Sequence, residues 1–360
     1  TQGQVYTSGN LEEQAGSLST SGLVASQGDL TLRVDELDAS AMSLLAAGLK
    51  ADGQLLGTGN LAVTGQRVVA SHGQVLAGGN LTLSGSAVNL SGSQASARNV
   101  TLMAASGNVD TSNAVVSAQD ALSVTANQSA SQSLVNRGGQ LAATTLALQA
   151  ANLSNVQGTM VQTGAGALTM AFLGSMDNTL GRIASNSTSW TLSSGNLTNT
   201  DGRLEHAGTG TFSVQSGTVT GARGAILGNG TVNLSGSNVV LDGGVLSADR
   251  VLLQASTLSN RDGDIVQTGT GVSTMTVTGA LDNTSGRVAS NGSTTLSAGS
   301  LVNQGGAVQT GGTANLTLSV SGLLDNSAQG LVSGNGNVLV TASSISNTLG
   351  QVTAGQALTV

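Results

Sequence analysis

His72 and His206 are the only imidazoles in 360 residues, and neither has a second histidine at metal-ligand spacing. A general base must sit within hydrogen-bond reach of the proton it takes, and histidine is the side chain best poised for that near neutral pH. Glu205 adjoins His206, but neighbouring side chains in an extended chain point to opposite faces, so the two form no dyad by themselves. Both histidines are expected at the surface or at corners. Serine and threonine are spread throughout the chain, so their nearness to His206 carries no signal for nucleophilic catalysis. The stretches GTGTF (208–212) and GNGTV (228–232) have the glycine content of phosphate loops, yet lack the lysine and the following helix. The densest charge run, RVDELD (33–38), is expected to protrude as a loop rather than form an active site. Asp177, Asp282 and Asp325 each precede an asparagine, a pairing that could offer oxygen to a cation. Other equivalent places carry Val, Ser or Thr, and the glycine-rich calcium repeat GGxGxDx is missing, so no metal or cofactor is expected.

Composition narrows the classes further. Charged residues are 8% and aromatics 1%, with 52 Gly and no Pro or Cys. Leu, Val, Ile and Phe make up roughly a quarter of the chain, above the range of about 20% that marks disorder. The net charge is −7 without a basic stripe, which argues against a nucleic-acid partner. No run of 18 apolar residues is present to span a membrane as a helix. The missing cysteines exclude disulfides and thiolate metal sites, and suit export through an oxidising periplasm. The opening TQGQVYTSGN lacks the features of a signal sequence, and both ends read as cuts through a continuing pattern.

That pattern is a repeat. Gly139, Gly158, Gly181, Gly202, Gly224, Gly244, Gly263, Gly286, Gly306, Gly330 and Gly350 lie 19 to 24 residues apart. Two positions later stand Leu141, Met160, Ile183, Leu204, Ile226, Leu246, Ile265, Val288, Val308, Val332 and Val352, expected to form a buried core ladder. Upstream, Gly53, Gly73, Ser93 and Asn113 are spaced by 20 and lead to Leu55, Val75, Ala95 and Val115, while Gly3 and Gly22 lead to Val5 and Val24. Each unit holds two or three short runs of alternating apolar and polar residues, the period of a half-buried strand. Gly, Asn, Asp and Ser lie between the runs, where corners need positive φ or side-chain-to-backbone bonds. No helical stripe is found, and glycine and β-branched residues are too dense for one.

Three short strands and three corners in about 20 residues make one coil of a parallel β-helix, an all-β solenoid. At about 4.8 Å per coil, about 17 coils would span roughly 80 Å. Residues 1–360 read as one continuous shaft, irregular near 30–50 and 116–136, with 158–262 and 263–360 as a duplicated five-coil block. The duplication shows in MDNTLGRIASN (176–186) and LDNTSGRVASN (281–291), 105 residues apart. Composition follows from such a stack. Proline would delete a ladder hydrogen bond, large aromatics would overfill a narrow core, and a charge repeated in every coil would repel its copies. Asn136, Asn155, Asn178, Asn199, Asn260, Asn283, Asn303, Asn326 and Asn347 stand three or four residues before a repeat glycine. They are expected to form a structural corner ladder, adopting the left-handed conformation and bonding amide to amide. A polar binding stripe is the alternative.

The segment LDNTSGRVASNGSTTLSAGSLVNQGGAVQTGG, with LSNVQGTMVQTGAGALTM and LSNRDGDIVQTGTGVSTM, resembles the haemagglutinin repeats of filamentous-haemagglutinin-like exoproteins. The resemblance covers 130–360 well and 1–130 more loosely. It implies a right-handed β-helical shaft, a secreted or surface-exposed protein of a Gram-negative bacterium, a two-partner-secretion transporter in the outer membrane, and a role in adhesion, biofilm or contact-dependent growth inhibition. The resulting expectation is a non-enzymatic stalk that presents a distal receptor-binding or toxin region. A receptor-binding adhesin face, meeting a host cell or a neighbouring bacterium, is the first alternative. A β-helical polysaccharide lyase or hydrolase is the second, disfavoured because Trp190, Tyr6, Phe172 and Phe212 are the only aromatics.

Overall fold

The structure, a computed structural model, describes residues 3–40, 42–127 and 131–360. Extended segments dominate, and no helix occurs among the described residues. The strands pair in parallel, each with the strand one coil on, so the chain is a β-solenoid of about 17 turns. The coils fall into two units, one of residues 1–177 and 181–186, the other of 178–180 and 187–360.

A coil of the second unit shows how alternation becomes architecture. The strand Arg287–Ser290 is followed by a corner and then the strand Thr294–Val302. The longer strand bends, and its register with Ser273–Asp282 shifts between Val277 and Ala280. Two of the three expected runs are therefore fused across a bend. Leu204, Ile226, Leu246, Ile265, Val288, Val308, Val332 and Val352 are successive partners in register. All are buried except Val352, which is half-buried. In the first unit Leu141, Met160 and Ile183 continue the same way. Burying one such aliphatic side chain contributes about 1.5–3 kcal/mol, and here each packs on its own kind above and below.

The upstream register differs from the expected one at two places. The inward ladder runs Leu45, Val75, Ala95, Val116, Leu141. Val115 points outward and is 42% exposed, because Ala114 rather than Asn113 occupies the repeat-glycine place. Leu55 belongs to no coil. The strand Leu44–Ala47 pairs directly with Gln74–Ala77, and residues 48–60 are an excursion between coils. The expected loop RVDELD is instead part of the strand Leu30–Asp38, with Val34 and Leu37 buried and Arg33, Asp35 and Glu36 exposed. Its charges are the outer face of an ordinary coil. In the region 116–136, residues up to Ala126 belong to the strand Val115–Ala126, and 128–130 lie outside the described residues.

Candidate functional site

The most regular polar feature is the asparagine corner. Asn136 donates from Nδ2 to Asn155 Oδ1 at 2.8 Å in the first unit. In the second unit Asn178 donates to Asn199, then Asn260 to Asn283, Asn283 to Asn303, Asn303 to Asn326 and Asn326 to Asn347, each at 2.7 Å. All are fully buried except Asn347, which is exposed. The same Nδ2 reaches the carbonyl of the repeat glycine, as Asn260 does to Gly263 at 3.1 Å. The asparagine column lapses at Gly221 and Leu241, which hold the equivalent place in two coils. Asn260 Oδ1, facing the Leu241 coil, is consequently buried without a partner. Backbone pairing is longest at the same level, where Ala225–Val240 lies against Val245–Ser259.

The backbone at this corner departs from expectation. No ladder asparagine has positive φ. The left-handed residue is the one just before the repeat glycine, including Gln157 (57°), Leu180 (56°), Asp201 (52°), Arg223 (54°), Asp262 (54°) and Ser285 (55°). The repeat glycine is required for another reason. A Cβ at Gly286 would fall within contact distance of Asn260 O, and one at Gly306 would meet Asn283 O in the same way. Close approach of coil to coil, rather than φ, excludes a side chain there.

His206 ends the strand Arg203–His206 at a corner, as expected, but not at the surface. It is buried at 2% exposure, its Nε2 donating to Ser187 O at 2.8 Å, while Nδ1 has no partner. No acid or hydroxyl orients the ring through Nδ1, so a base relay is not assembled. Its neighbours are aromatic: Phe212 lies 6.0 Å from it and stacks on Trp190 at 4.1 Å and 9°. Trp190 is fully buried with Nε1 unpartnered. Five coils further on, the places in register with His206, Phe212 and Trp190 hold Thr310, Leu316 and Thr294. His72 is exposed, in the left-handed conformation at φ 57°, with Gly92 packed against its ring.

The other chemical candidates resolve into corner structure. Asp282 accepts from Thr284 N at 2.9 Å and Thr284 Oγ1 at 2.6 Å, and from Arg261 Nη1 at 2.7 Å. Burial pushes its pKa up, but the Thr284 and Arg261 donors outweigh this and hold it below the ordinary aspartate range. Asp325 repeats the motif with Ser327 Oγ at 2.6 Å, and this hydroxyl is the chief reason its pKa is low. Arg223 grips Asp201 with two 2.8 Å bonds, which lower the carboxyl pKa and raise that of the guanidinium. Asp177 accepts Asn155 N through its backbone carbonyl at 2.7 Å. Gly208 and Gly210 press on the carbonyls of Ser187 and Thr188, and Gly230 presses on those of Thr209 and Gly210, so these glycines stack coils rather than form a phosphate cradle.

The main departure from the coil is the excursion. Leu49 folds back over the outer face and packs with Ala25 and Ala46, with Leu23, Leu44 and Leu76 alongside. Leu49 N bonds Ser26 O at 2.9 Å, and Leu56 N bonds Gly48 O at 2.7 Å. Its tip carries Lys50, the single lysine of the chain, and Leu55 at 43% exposure. Sequence periodicity missed it because Gly53 and Leu55 imitate a coil; the run GTGN at 57–60 was the available sign of a loop.

Across 285 residues the chain is 29% identical to Toxin CdiA of Yersinia pestis, an alignment that takes in 77% of this chain and 8% of that protein. The chain therefore spans a small fraction of the relative's length. No protein-family model matches it. No solved structure matches it either. A parallel solenoid that shares most of its length with such a relative fits a filamentous haemagglutinin-like protein.

Proposed function

We infer that this chain is a length of stalk within a large secreted or surface-exposed exoprotein of a Gram-negative bacterium, holding a distal receptor-binding or toxin region away from the cell. The observation that carries this reading is the coil-to-coil ladder. Aliphatic side chains and asparagine amides are spent on the neighbouring coil, which gives stiffness by repetition. The likeness to Toxin CdiA supports it. A two-partner-secretion transporter in the outer membrane is the export partner of this reading, and a receptor on a host or neighbouring cell is met by the distal region. Coils that fold one after another outside the membrane would draw the chain out without nucleotide.

In-frame deletion of residues 158–262 from the full-length exoprotein tests the stalk. Display and target-cell binding should persist, with reach shortened by about 24 Å, five coils at about 4.8 Å. Loss of binding with display intact would reject the stalk in favour of a direct adhesin face. The excursion at 48–60, with exposed Leu55, is the observation that favours the adhesin alternative. Replacing 50–55 by a short glycine turn would then abolish cell binding, whereas the stalk reading expects no change.

A further inference from the structure

In the first unit the left-handed corner column runs through successive coils as Met42 (66°), His72 (57°) and Gly92 (68°). Met42 N donates to His72 O at 3.3 Å, and His72 N to Ser91 O at 2.9 Å, so these corners lie one coil apart. A second outward column, Leu44, Gln74 and Gln94, runs beside the first in register. A groove of about 410 Å³ lies between the two columns, with Met42 and His72 on one side and Gln74 and Gln94 on the other. Among the described residues no Asp, Glu, Lys or Arg lines it. Met160, Met170, Met176 and Met275 are core residues, whereas Met42 at 87% exposure has no packing role.

Side chains on the left-handed column lean toward the following coil. A Cβ at Gly92 would meet the His72 ring, and one at Gly138 would meet Asn113 Oδ1. The same lean carries the Met42 thioether over His72. The Cδ2–Nε2 edge of the imidazole faces Gly92, so Nδ1 lies on the edge away from that glycine. The His72 ring makes no hydrogen bond among the described residues, which leaves a nitrogen lone pair for a ligand. Spacing along the chain conceals the pair, because the excursion at 48–60 separates two residues that stacking brings together.

We propose that Met42 and His72 form a binding site for a soft monovalent cation, Cu(I), through the thioether sulfur and one imidazole nitrogen. A thioether selects Cu(I) among the common ions, and imidazole suits copper as well. Calcium and magnesium take oxygen ligands, chiefly carboxylates, and structural zinc takes four donors, usually thiolate or imidazole. The groove supplies neither set. The side-chain carbonyl of Gln74, two residues from His72 and exposed, is the nearest source of a weak third donor. The column also supplies its own replacements. Leu180 and Leu349 hold the left-handed place in other coils, and so does Gln157. Met42→Leu and His72→Gln therefore each remove a donor and keep the corner. Met103→Leu is the control, since Met103 is exposed at 44% beside a groove that has no imidazole.

The test is anaerobic titration of the whole chain with Cu(I) in competition with a chromophoric Cu(I) chelator, with Zn(II) and Ca²⁺ titrated in parallel. The expected result is a single equivalent of bound Cu(I), with affinity lowered by Met42→Leu and by His72→Gln but not by Met103→Leu. Loss of an outer-shell partner alone costs about 10–100-fold in metal affinity, so loss of a donor should cost no less. Thermal melts of the variants without metal should match the parent. Ag(I), a closed-shell probe of the same softness, should move the Met42 methyl and His72 ring signals together in NMR spectra and leave the buried His206 ring unmoved. No binding of Cu(I), binding indifferent to either donor variant, or Zn(II) bound as tightly as Cu(I) would overturn the site.

Discussion

Two chemically identical truncations in the asparagine ladder should have unequal consequences. Asn283 Nδ2 donates to Asn303 Oδ1 at 2.7 Å, Gly286 O at 3.1 Å and Ala307 O at 3.2 Å, while Oδ1 accepts from Asn260 at 2.7 Å. Asn283→Ala removes these and leaves Asn303 Oδ1 as a newly stranded buried acceptor. Asn260 Nδ2 retains its bonds to Gly263 O and Arg287 O. A stranded buried group costs about 1–3 kcal/mol, and each ordinary hydrogen bond contributes about 0.5–1.5 kcal/mol net, so the change should cost about 3 kcal/mol. Asn260→Ala strands Asn283 Oδ1 in the same way, but it also deletes Asn260 Oδ1, which already lacks a partner. The number of stranded atoms does not change, and the cost falls to about 1 kcal/mol. The difference of about 2 kcal/mol is about thirtyfold in the local opening constant. Native-state hydrogen exchange of the Gly263 and Gly286 amides, which close the two corners onto Asn260 O and Asn283 O, measures it directly. Equal losses of protection in the two variants would refute the reasoning.

Gly286→Ala should cost about 1–3 kcal/mol by overpacking against Asn260 O, whereas neighbouring Ser285→Gly should be near neutral, since relief of left-handed strain offsets the entropy of glycine; urea midpoints of the two variants check the order. Trp190→Thr should cost about 3 kcal/mol, although Thr294 lies in register with it five coils on, because the cavity would lie against Phe212; thermal melts read this. In the native chain, the emission of the single tryptophan should stay blue until the coil around it opens. Asp325 has a folded-state pKa below its unfolded one, so its contribution is complete above the unfolded value and is lost as pH falls through the folded value. Ser327→Ala should therefore flatten the fall in urea midpoint below about pH 4, and an unchanged acid profile would count against the assignment.

The repeat was legible because a solenoid writes each core position once per coil, so Ile265, Val288 and Val308 fall into a column visible in the letters. The division of labour at the corner was not legible. A glycine answers both to positive φ and to close contact, and only coordinates distinguish Gly286, crowded by Asn260 O, from Ser285, which carries the left-handed turn. The burial of His206 at its corner was not legible for a different reason. Its burial depends on Phe212 across the corner and on Ser187 in the preceding coil, 19 residues away, and no local pattern records either. The excursion at 48–60 escaped notice because Leu49 is apolar like a core residue, yet it buries itself on the outside of the coil.

The left-handed corner residue has a consequence for how such a surface changes. Gln157 in one unit and Leu180, Arg223, Asp262, Ser285, Gln329 and Leu349 in the other are all exposed, and they share little chemistry. The backbone bears the same conformational cost under each of them, while the repeat glycine, and in every one of these coils but that of Arg223 the ladder asparagine, fix the coil from either side. Frame and lettering are thus kept on separate residues. Along each unit, one side chain per coil can be rewritten by mutation without disturbing the backbone and asparagine hydrogen bonds that keep the coils in step.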